Sequence, residues 1–322
     1  MIEEISAGLY RVDIPLPGNP LRGLNSYVIK GRDRNLIIDT GWDRQECREA
    51  MLSALQEIGV DLSETDFFIT HVHADHIGLL ASLLTPNARI FFNKPEADII
   101  KTQQGWGYMF ELAGKMGFPE EELKAVMRNH PVFRYYGNVK LDYTLLKDGD
   151  ALTVDGYDFR CIETPGHTRG HLCLYEEKSK LLISGDHILA EITPNIQLWS
   201  QGINPLQDYL DSLDKVSRLD IDLVLPGHRR TIDDCRRRIG ELKEHYRHRA
   251  DEVLRILSEG TKDAYEVAGR MTWDLDCATW EGFPAPQKWF ATGEAIAHLK
   301  YLEDRQEVCR TERDGIVVFS LN

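Results

Sequence analysis

Hydrophobic and polar positions along the first 70 residues predict short strands and one helix. Apolar and polar residues alternate in three runs, which is typical of strands: residues 9–14, 26–30 and 35–39. Residues 47–58 carry apolar side chains near helical spacing, and Gly59 follows as a stop signal. A short apolar run at residues 66–70 then ends at a dense group of histidines. This segment predicts a strand followed by a polar loop and a helix.

The middle of the chain predicts a helical block between two groups of strands. Residues 78–84 have a helical pattern, residues 89–93 a strand pattern, and residues 95–133 a helical pattern rich in aromatic and methionine side chains. These side chains are Trp106, Tyr108, Met109, Phe110, Met116, Phe118, Met127 and Phe133. Taken singly, each is expected to pack in a core. As a block over about residues 95–138, they predict a helical insertion that forms an apolar lid or substrate wall.

The second half of the chain predicts more strands and then a helical unit. A helix pattern covers residues 208–218, and strand patterns cover residues 151–154, 158–163, 171–176, 180–184 and 223–225. Antiparallel hairpins that alternate with helices indicate an α/β fold with two sheets between layers of helices. From residue 236 the pattern changes to three helices and a hairpin that turns at Asp314 and Gly315. We therefore expect a first domain over residues 1–235 and a winged-helix-like α+β domain over residues 236–322.

Composition and charge narrow the range of partners. The 322 residues are 42% hydrophobic and 28% charged, as in a soluble globular protein of roughly two domains. A net charge of -14 disfavours a surface that holds nucleic acid or an anionic membrane. The C-terminal unit also lacks the basic face of a duplex-binding wing, so we expect it to serve packing or homodimer formation.

The N-terminal sequence and the cysteines favour the cytoplasm. The first residues lack the basic start and apolar stretch of a secretory signal. No apolar run reaches the roughly 18 residues of a membrane-spanning helix. The six cysteines are scattered without C-x-x-C spacing, so they are expected to be reduced thiols. We expect a cytoplasmic protein that acts on a small molecule and has no membrane partner.

The candidate chemistry lies in the loop THVHADHIG, which begins where the apolar run at residues 66–70 ends. This loop supplies four metal-capable side chains, His71, His73, Asp75 and His76. Imidazole and carboxylate together suit zinc and other first-row ions better than calcium or magnesium, which prefer oxygen ligands. A strand end would hold such ligands in place.

Further candidate ligands follow strand-like runs later in the chain. They are His167 in TPGHTRGH, Asp186 in LLISGDH and His228 in VLPGH, each beside a glycine that lets the backbone turn sharply. Asp39, in LIIDTG, could orient a ligand histidine from another strand end. His171 and His187 neighbour these ligands and are slightly favoured as supports. The other histidines are expected to be structural or at the surface: His130, His245, His248 and His298.

With these motifs in this order, residues 1 to about 235 resemble the metallo-beta-lactamase superfamily, which has an H-x-H-x-D-H loop and later His, Asp and His. The resemblance implies a four-layer αβ/βα sandwich with a metal site at the edge of its sheets. It also implies two metal sites that share a bridging carboxylate. Their ligands would be His71, His73 and His167 for the first, Asp75, His76 and His228 for the second, and Asp186 for the bridge.

The C-terminal unit resembles the winged-helix extension of one branch of this superfamily. The branch includes mitochondrial-type endoribonucleases and many bacterial hydrolases of unassigned substrate. The segment GDHILAEITPN, the pair His298 and Leu299, and the terminal hairpin carry this second resemblance.

Two divalent cations on these ligands would lower the pKa of a shared water towards 7 and so produce a bridging hydroxide. We therefore expect a metal-dependent hydrolase. Asp75 is the candidate catalytic residue, because it could orient the hydroxide and take up its proton. Zinc is the favoured metal, with iron or manganese as alternatives. The apolar insertion and the acidic surface favour a small ester, thioester or lactone, as in glyoxalase-II-like acyl hydrolases.

Other functions stay open at this stage. The winged-helix resemblance implies phosphodiester cleavage of single-stranded RNA, and an iron-dependent persulfide dioxygenase would keep similar histidines. Lactonase action is less favoured, because His187, Ile188 and Leu189 follow Asp186 where many lactonases have a tyrosine. A non-catalytic binding protein is the least favoured alternative, because every ligand position is filled.

Overall fold

The N-terminal half of the chain folds into a seven-stranded sheet with its strands in chain order. The computed structural model describes residues 1–102, 106–129, 142–198, 202–274 and 279–322. The strands are β1 Ile2–Ser6, β2 Leu9–Pro15, β3 Gly23–Ile29, β4 Asn35–Ile38, β5 Thr65–Phe68, β6 Ile90–Asn93 and β7 Tyr143–Leu146. β1 to β4 pair antiparallel, whereas β4 to β7 pair parallel. The sequence pattern did not predict β1 and β7, whose side chains are all exposed or only partly buried.

Parallel strands need crossover connections, and helices supply them here. The helices that follow β4 and β5 are α1 Gln45–Ile58, α2 Ala74–Ile77 and α3 Leu80–Leu83. Between β6 and β7 lies the insertion, which contains α4 Lys94–Thr102, α5 Trp106–Lys115 and α6 Glu120–Asn129. The helical character of this segment was predicted correctly. Phe133, His130 and the end of the predicted insertion lie outside the described residues.

The second sheet has five strands in the order β12, β11, β10, β9, β8. Its strands are β8 Ala151–Val154, β9 Tyr157–Glu163, β10 Leu172–Glu176, β11 Leu181–Gly185 and β12 Leu223–Pro226. β11 and β12 pair parallel and are joined through α7 Pro205–Val216, while the other pairs are antiparallel. The predicted strands and helix of this region are therefore confirmed.

Three apolar cores separate four layers. Between the two sheets, Tyr27 and Phe68 pack in one cluster with Phe159 and Leu174. On the outer face of the first sheet, a second cluster contains Met51 and Leu55 of α1 together with Ile37 and Phe67 of the sheet. On the outer face of the second sheet, Leu206 and Leu213 of α7 share a cluster with Leu182 and Val224. These layers confirm the predicted αβ/βα sandwich.

In the part that the structure describes, the C-terminal module contains three α-helices and a hairpin. Its elements are α8 Cys235–Leu257, α9 Ala264–Ala268, α10 Ala285–Asp304, β13 Val308–Arg313 and β14 Ile316–Leu321. The register pairs Arg313 with Ile316, which places Asp314 and Gly315 in the turn as predicted. The first turns of α8 pack in the outer core of the second sheet, and its last turns pack against α9 and α10. The division at residue 235 stays a prediction.

The insertion packs on the C-terminal module. Met109, Phe110 and Phe118 form a cluster with Trp289 of α10, and Met116 packs in the core of the module, whereas Met127 is exposed. The expectation that single aromatic and methionine side chains pack in a core is therefore confirmed for four of them and is wrong for Met127. The four are Met109, Phe110, Met116 and Phe118. Of the helices in the described ranges, none is both long and apolar enough to cross a membrane.

Candidate metal centre

The histidine loop lies at the carboxyl end of β5, where the chain turns from the sheet into α2. His71 and His73 precede the helix, and Asp75 and His76 lie within it. His71 and His76 are completely buried, whereas His73 and Asp75 are partly exposed. The loop therefore places one side of the cluster in the protein and the other towards solvent.

The first group of candidate ligands consists of three imidazoles. The Nδ1 atom of His73 lies 3.0 Å from Nε2 of His71 and 2.9 Å from Nε2 of His167. Burial lowers the pKa of all three rings, to about 3 for His73. The rings are therefore neutral at pH 7, which is the form that binds a metal ion. Three neutral ring nitrogens directed at one another fit a cation better than a network of hydrogen bonds.

The second group contains Asp75, His76 and His228. The Nε2 atom of His228 lies 3.5 Å from Oδ2 of Asp75. Although burial disfavours a charged ring, Asp186 and Asp75 raise the pKa of His228 to about 10, and Asp39 and Asp186 raise that of His76 well above its usual value. The carboxylates of this group therefore create a strongly negative site that attracts a proton or a cation.

Asp186 lies between the two groups. Its Oδ2 atom is 3.6 Å from Nε2 of His167, and its Oδ1 atom is 3.5 Å from Nε2 of both His76 and His228. Among the described residues, Oδ1 of Asp186 and the Nε2 atoms of His76 and His228 are buried without a hydrogen-bond partner. Such unpaired polar atoms are costly in a protein interior. The donor set of imidazoles and carboxylates fits divalent first-row cations, which would satisfy these atoms.

Asp39 holds the histidine loop from behind. Its Oδ2 atom lies 2.7 Å from Nδ1 of His76 and accepts a hydrogen bond of 2.8 Å from the Thr70 hydroxyl. Its Oδ1 atom accepts a hydrogen bond of 2.9 Å from the Thr70 backbone N–H. The contact with His76 confirms the sequence prediction that Asp39 orients a candidate ligand. It leaves Nε2 of His76 directed at Asp186.

Backbone carbonyl groups orient two more of the histidines. Nδ1 of His167 donates to the carbonyl oxygen of Asn195 at 2.8 Å, and Nδ1 of His228 donates to that of Gly23 at 2.7 Å. A proton fixed on Nδ1 leaves Nε2 free to bind a cation. Sequence reasoning missed these supports, because a carbonyl oxygen carries no signature in the sequence.

Glu96 is a buried carboxylate that the sequence reasoning also missed. Its two oxygens accept hydrogen bonds from the backbone N–H of Val72 at 2.8 Å and of Gly170 at 2.6 Å. Glu96 thus ties the loop of His71 and His73 to the loop of His167. Its position just after β6 was the available signal, because parallel strands end at a common sheet edge.

The remaining histidines take different positions. His171 accepts a hydrogen bond of 3.1 Å at Nε2 from the Asp186 backbone N–H. It therefore holds a candidate ligand in place, which is the role that the sequence favoured for it. The ring of His187 packs edge-on against Tyr209. His298 is buried in the C-terminal module, and His248 pairs with Glu244 at the surface.

Gly227 leaves the space that Asp186 and His76 occupy. A Cβ atom at this position would lie 2.7 Å from Oδ1 of Asp186 and 2.9 Å from Cε1 of His76. The glycine before His228 is therefore required by close packing around the cluster.

Comparison with known proteins identifies the family. A family model described as the metallo-beta-lactamase superfamily matches residues 20–228, which include all seven candidate ligands. The chain belongs to the metallo-beta-lactamase superfamily. A second model, described as a metallo-beta-lactamase-like C-terminal domain, matches residues 283–322.

Similar proteins cover most of the chain. The probable metallo-hydrolase YqjP of Bacillus subtilis (strain 168) is 27% identical over 308 residues, which are 91% of this chain and 92% of the relative. An atrochrysone carboxyl ACP thioesterase of Aspergillus fumigatus is 24% identical over 80% of this chain and 67% of its own length.

Solved structures of the superfamily include the C-terminal module. A metallo-beta-lactamase family protein from Thermus thermophilus has a TM-score of 0.84 and 30% identity, with 98% of this chain and 99% of that chain covered. A beta-lactamase domain protein from Burkholderia ambifaria has a TM-score of 0.85 and 25% identity, with 100% and 94% covered. Together with the histidine–aspartate cluster, membership of the superfamily confirms the prediction of a metal-dependent hydrolase.

Proposed function

We propose that this metal-dependent hydrolase uses two divalent cations to cleave a small ester, thioester or lactone. The observation that carries the proposal is the position of Asp186, whose two oxygens face the two ligand groups. His71, His73 and His167 would hold one cation, Asp75, His76 and His228 the other, and Asp186 would contact both. When bound, such cations activate water as a nucleophile near neutral pH and polarise the carbonyl group under attack.

Asp75 is the proposed catalytic residue of this site. Its carboxylate is partly exposed, so a substrate or a water molecule can reach it. Although burial opposes ionisation, the contacts with His228 and His76 lower the pKa of Asp75 to about 2. The side chain is therefore an anion at pH 7 and can accept a hydrogen bond from the attacking water. Asp75 would thus orient that water in addition to holding a cation.

Three observations favour an acyl substrate. The thioesterase from Aspergillus fumigatus shares 24% identity with this chain over 261 residues. The net charge of -14 disfavours a long polyanion such as RNA. The apolar insertion could supply a wall for the acyl group, because α5 packs on α10 near the loop that contacts His167.

Zinc is the proposed metal, and the cytoplasm is the proposed location.

A substrate panel tests the proposed reaction. The purified protein would be analysed for bound metal and assayed with thioesters, lactones, a phosphodiester and single-stranded RNA. We expect about two divalent ions per chain and hydrolysis of acyl substrates. Cleavage of RNA without acyl hydrolysis would replace the proposal with a phosphodiesterase function.

Asp186→Ala tests the two-cation arrangement. We expect this variant to lose one bound ion and its hydrolytic activity, because it removes the only carboxylate that faces both ligand groups within the described parts of the chain. The matched control is Asp158→Ala, which removes an exposed carboxylate of β9 that pairs with Lys178. Unchanged activity in Asp186→Ala would refute the two-cation proposal.

A further inference from the structure

Helix α10 of the C-terminal module reaches the loop that orients His167. The carbonyl oxygen of Asn195 accepts the hydrogen bond from Nδ1 of His167 at 2.8 Å. The side-chain amide of the same Asn195 donates to Oε2 of Glu294 at 3.3 Å and to the carbonyl oxygen of Phe290 at 3.4 Å. Both acceptors belong to α10. One residue therefore contacts a candidate metal ligand through its backbone and the C-terminal module through its side chain.

Glu294 is a buried carboxylate that is itself fixed in place. Only 7% of the residue is exposed, and its Oε1 atom lies 3.3 Å from Nε of Arg249 on α8. Arg249 donates further hydrogen bonds to Glu252 at 2.7 Å and to the carbonyl oxygen of Thr272 at 2.6 Å. Its guanidinium also lies 4.3 Å from the ring centre of Trp273. The Glu294 carboxylate is therefore fixed in position, because moving it would break its contact with Arg249 and leave buried polar atoms unpaired.

Close packing keeps the Asn195 loop against α10. Nε2 of Gln197 donates to Oδ1 of Asn195 at 2.6 Å. The Gln197 side chain lies on Gly293, where a Cβ atom would come within 2.8 Å of Cδ of Gln197. The helix therefore has a glycine where the Gln197 side chain packs against it. The NH₂ group of Asn195 thus donates to α10, and its side-chain oxygen accepts from Gln197, whose side chain packs on the same helix.

We propose that Asn195 and Glu294 are positioning residues through which the C-terminal module holds His167 in its metal-binding orientation. The inference rests on the proposed function, because it assigns a role in the same metal site. The hydrogen bond to the Asn195 carbonyl keeps the ring proton on Nδ1 and Nε2 directed at His73. The attachment to α10 determines where that carbonyl lies. The C-terminal module is thus a structural part of the metal centre.

Asn195→Ala tests this role without removing the acceptor of the hydrogen bond. The variant keeps the backbone carbonyl but loses the attachment to Glu294 and Phe290. We expect the metal affinity of the group that contains His167 to fall by up to about 10-fold, because outright loss of a group that orients a ligand typically costs about 10- to 100-fold and here the carbonyl is kept but less firmly held. Competition with a chelator would measure this affinity. Glu294→Gln leaves one oxygen acceptor for two donors, Arg249 and the Asn195 amide, but the Asn195 amide keeps its bond to the Phe290 carbonyl, so this variant is expected to lower the affinity less.

The matched control is Asn204→Ala. The Asn204 amide also joins a loop to α10, through a hydrogen bond of 2.8 Å to Asp304, but it contacts none of the candidate ligands among the described residues. Its loss is expected to lower the melting temperature and leave the metal affinity unchanged. Equal metal affinity in wild type and Asn195→Ala would overturn the proposal, as would an equal loss of affinity in the control.

A second measurement does not depend on bound metal. In 15N-histidine-labelled, metal-free protein, NMR would detect the His167 Nδ1–H signal, assigned by its absence in His167→Gln. We expect exchange of this proton with water to be slow in wild type and faster in Asn195→Ala. Unchanged exchange would refute the positioning role. If wild type bound no metal but still showed this difference, the proposed function would fail while the link between α10 and His167 would stand.

Discussion

Asp39→Asn tests the orientation of the metal ligands most directly. The substitution keeps the shape of the side chain but replaces one carboxylate oxygen with an NH₂ donor. The remaining oxygen can still accept from the Thr70 backbone N–H, so the new donor would face the Thr70 hydroxyl and Nδ1 of His76. The hydroxyl can turn and accept this bond. His76 can accept it only if Nδ1 loses its proton, which leaves the remaining ring proton on Nε2, the atom directed at Asp186.

The expected loss is a lower affinity for the cation held by Asp75, His76 and His228. A protonated Nε2 cannot bind a metal ion, so binding must first reverse the preferred tautomer. Groups that orient a ligand in this way typically contribute about 10- to 100-fold in metal affinity, or about 1.4 to 2.7 kcal/mol. The metal-free protein would also lose a charge-assisted hydrogen bond, at a cost of about 1.5 to 3 kcal/mol in the free energy of unfolding.

Chelator competition and urea unfolding of the metal-free protein would measure the two effects separately. Asp66→Asn is the matched control, because Asp66 is a buried carboxylate on β5 that pairs with Arg34 and Arg89 instead of a candidate ligand. We expect the control to lower stability but not metal affinity. If Asp39→Asn bound the metal as tightly as wild type, the tautomer argument would be wrong.

Three further predictions concern the same region. Gly227→Ala should weaken metal binding, because the new Cβ would lie 2.7 Å from Oδ1 of Asp186. The control Gly240→Ala on α8, where a Cβ would meet open space, should not weaken it. Equal metal content in both variants would contradict the steric argument. Burial raises the pKa of Glu96 to about 7. The contribution of Glu96 to the free energy of unfolding is therefore fully present below about pH 4.5, and about 3 kcal/mol is lost as the pH rises through 7. Glu96→Gln should flatten this part of the unfolding free energy against pH, and an unchanged profile would count against it. Removal of metal by a chelator should lower the melting temperature, since ligand at about 1,000 times its Kd adds about 4 kcal/mol; identical melting curves with and without metal would show that the cluster holds none.

The elements that the sequence predicted well are those with strong periodic patterns. The 14-residue helix α1 ends at Gly59, which adopts a left-handed conformation as a stop signal should. The terminal hairpin turns at Asp314 and Gly315, both with positive φ. By contrast, β1 and β7 lie at the two edges of the first sheet and bury little, so their sequences lack a clear alternation. Their pairing depends on neighbours that are distant in sequence.

The superfamily resemblance, the layered fold and the list of candidate ligands could all be predicted from the sequence, because a dense His and Asp motif and strand ends marked by glycine are local features. How these ligands are held depends on contacts that form when the chain folds. Asp39 was predictable as an acid at a strand end, but Glu96 and the Asn195 carbonyl act across loops that are distant in sequence. The contribution of α10 to the site follows from packing between the Asn195 loop and the C-terminal module. Such packing depends on the complementary shapes of assembled elements, which local sequence patterns do not encode.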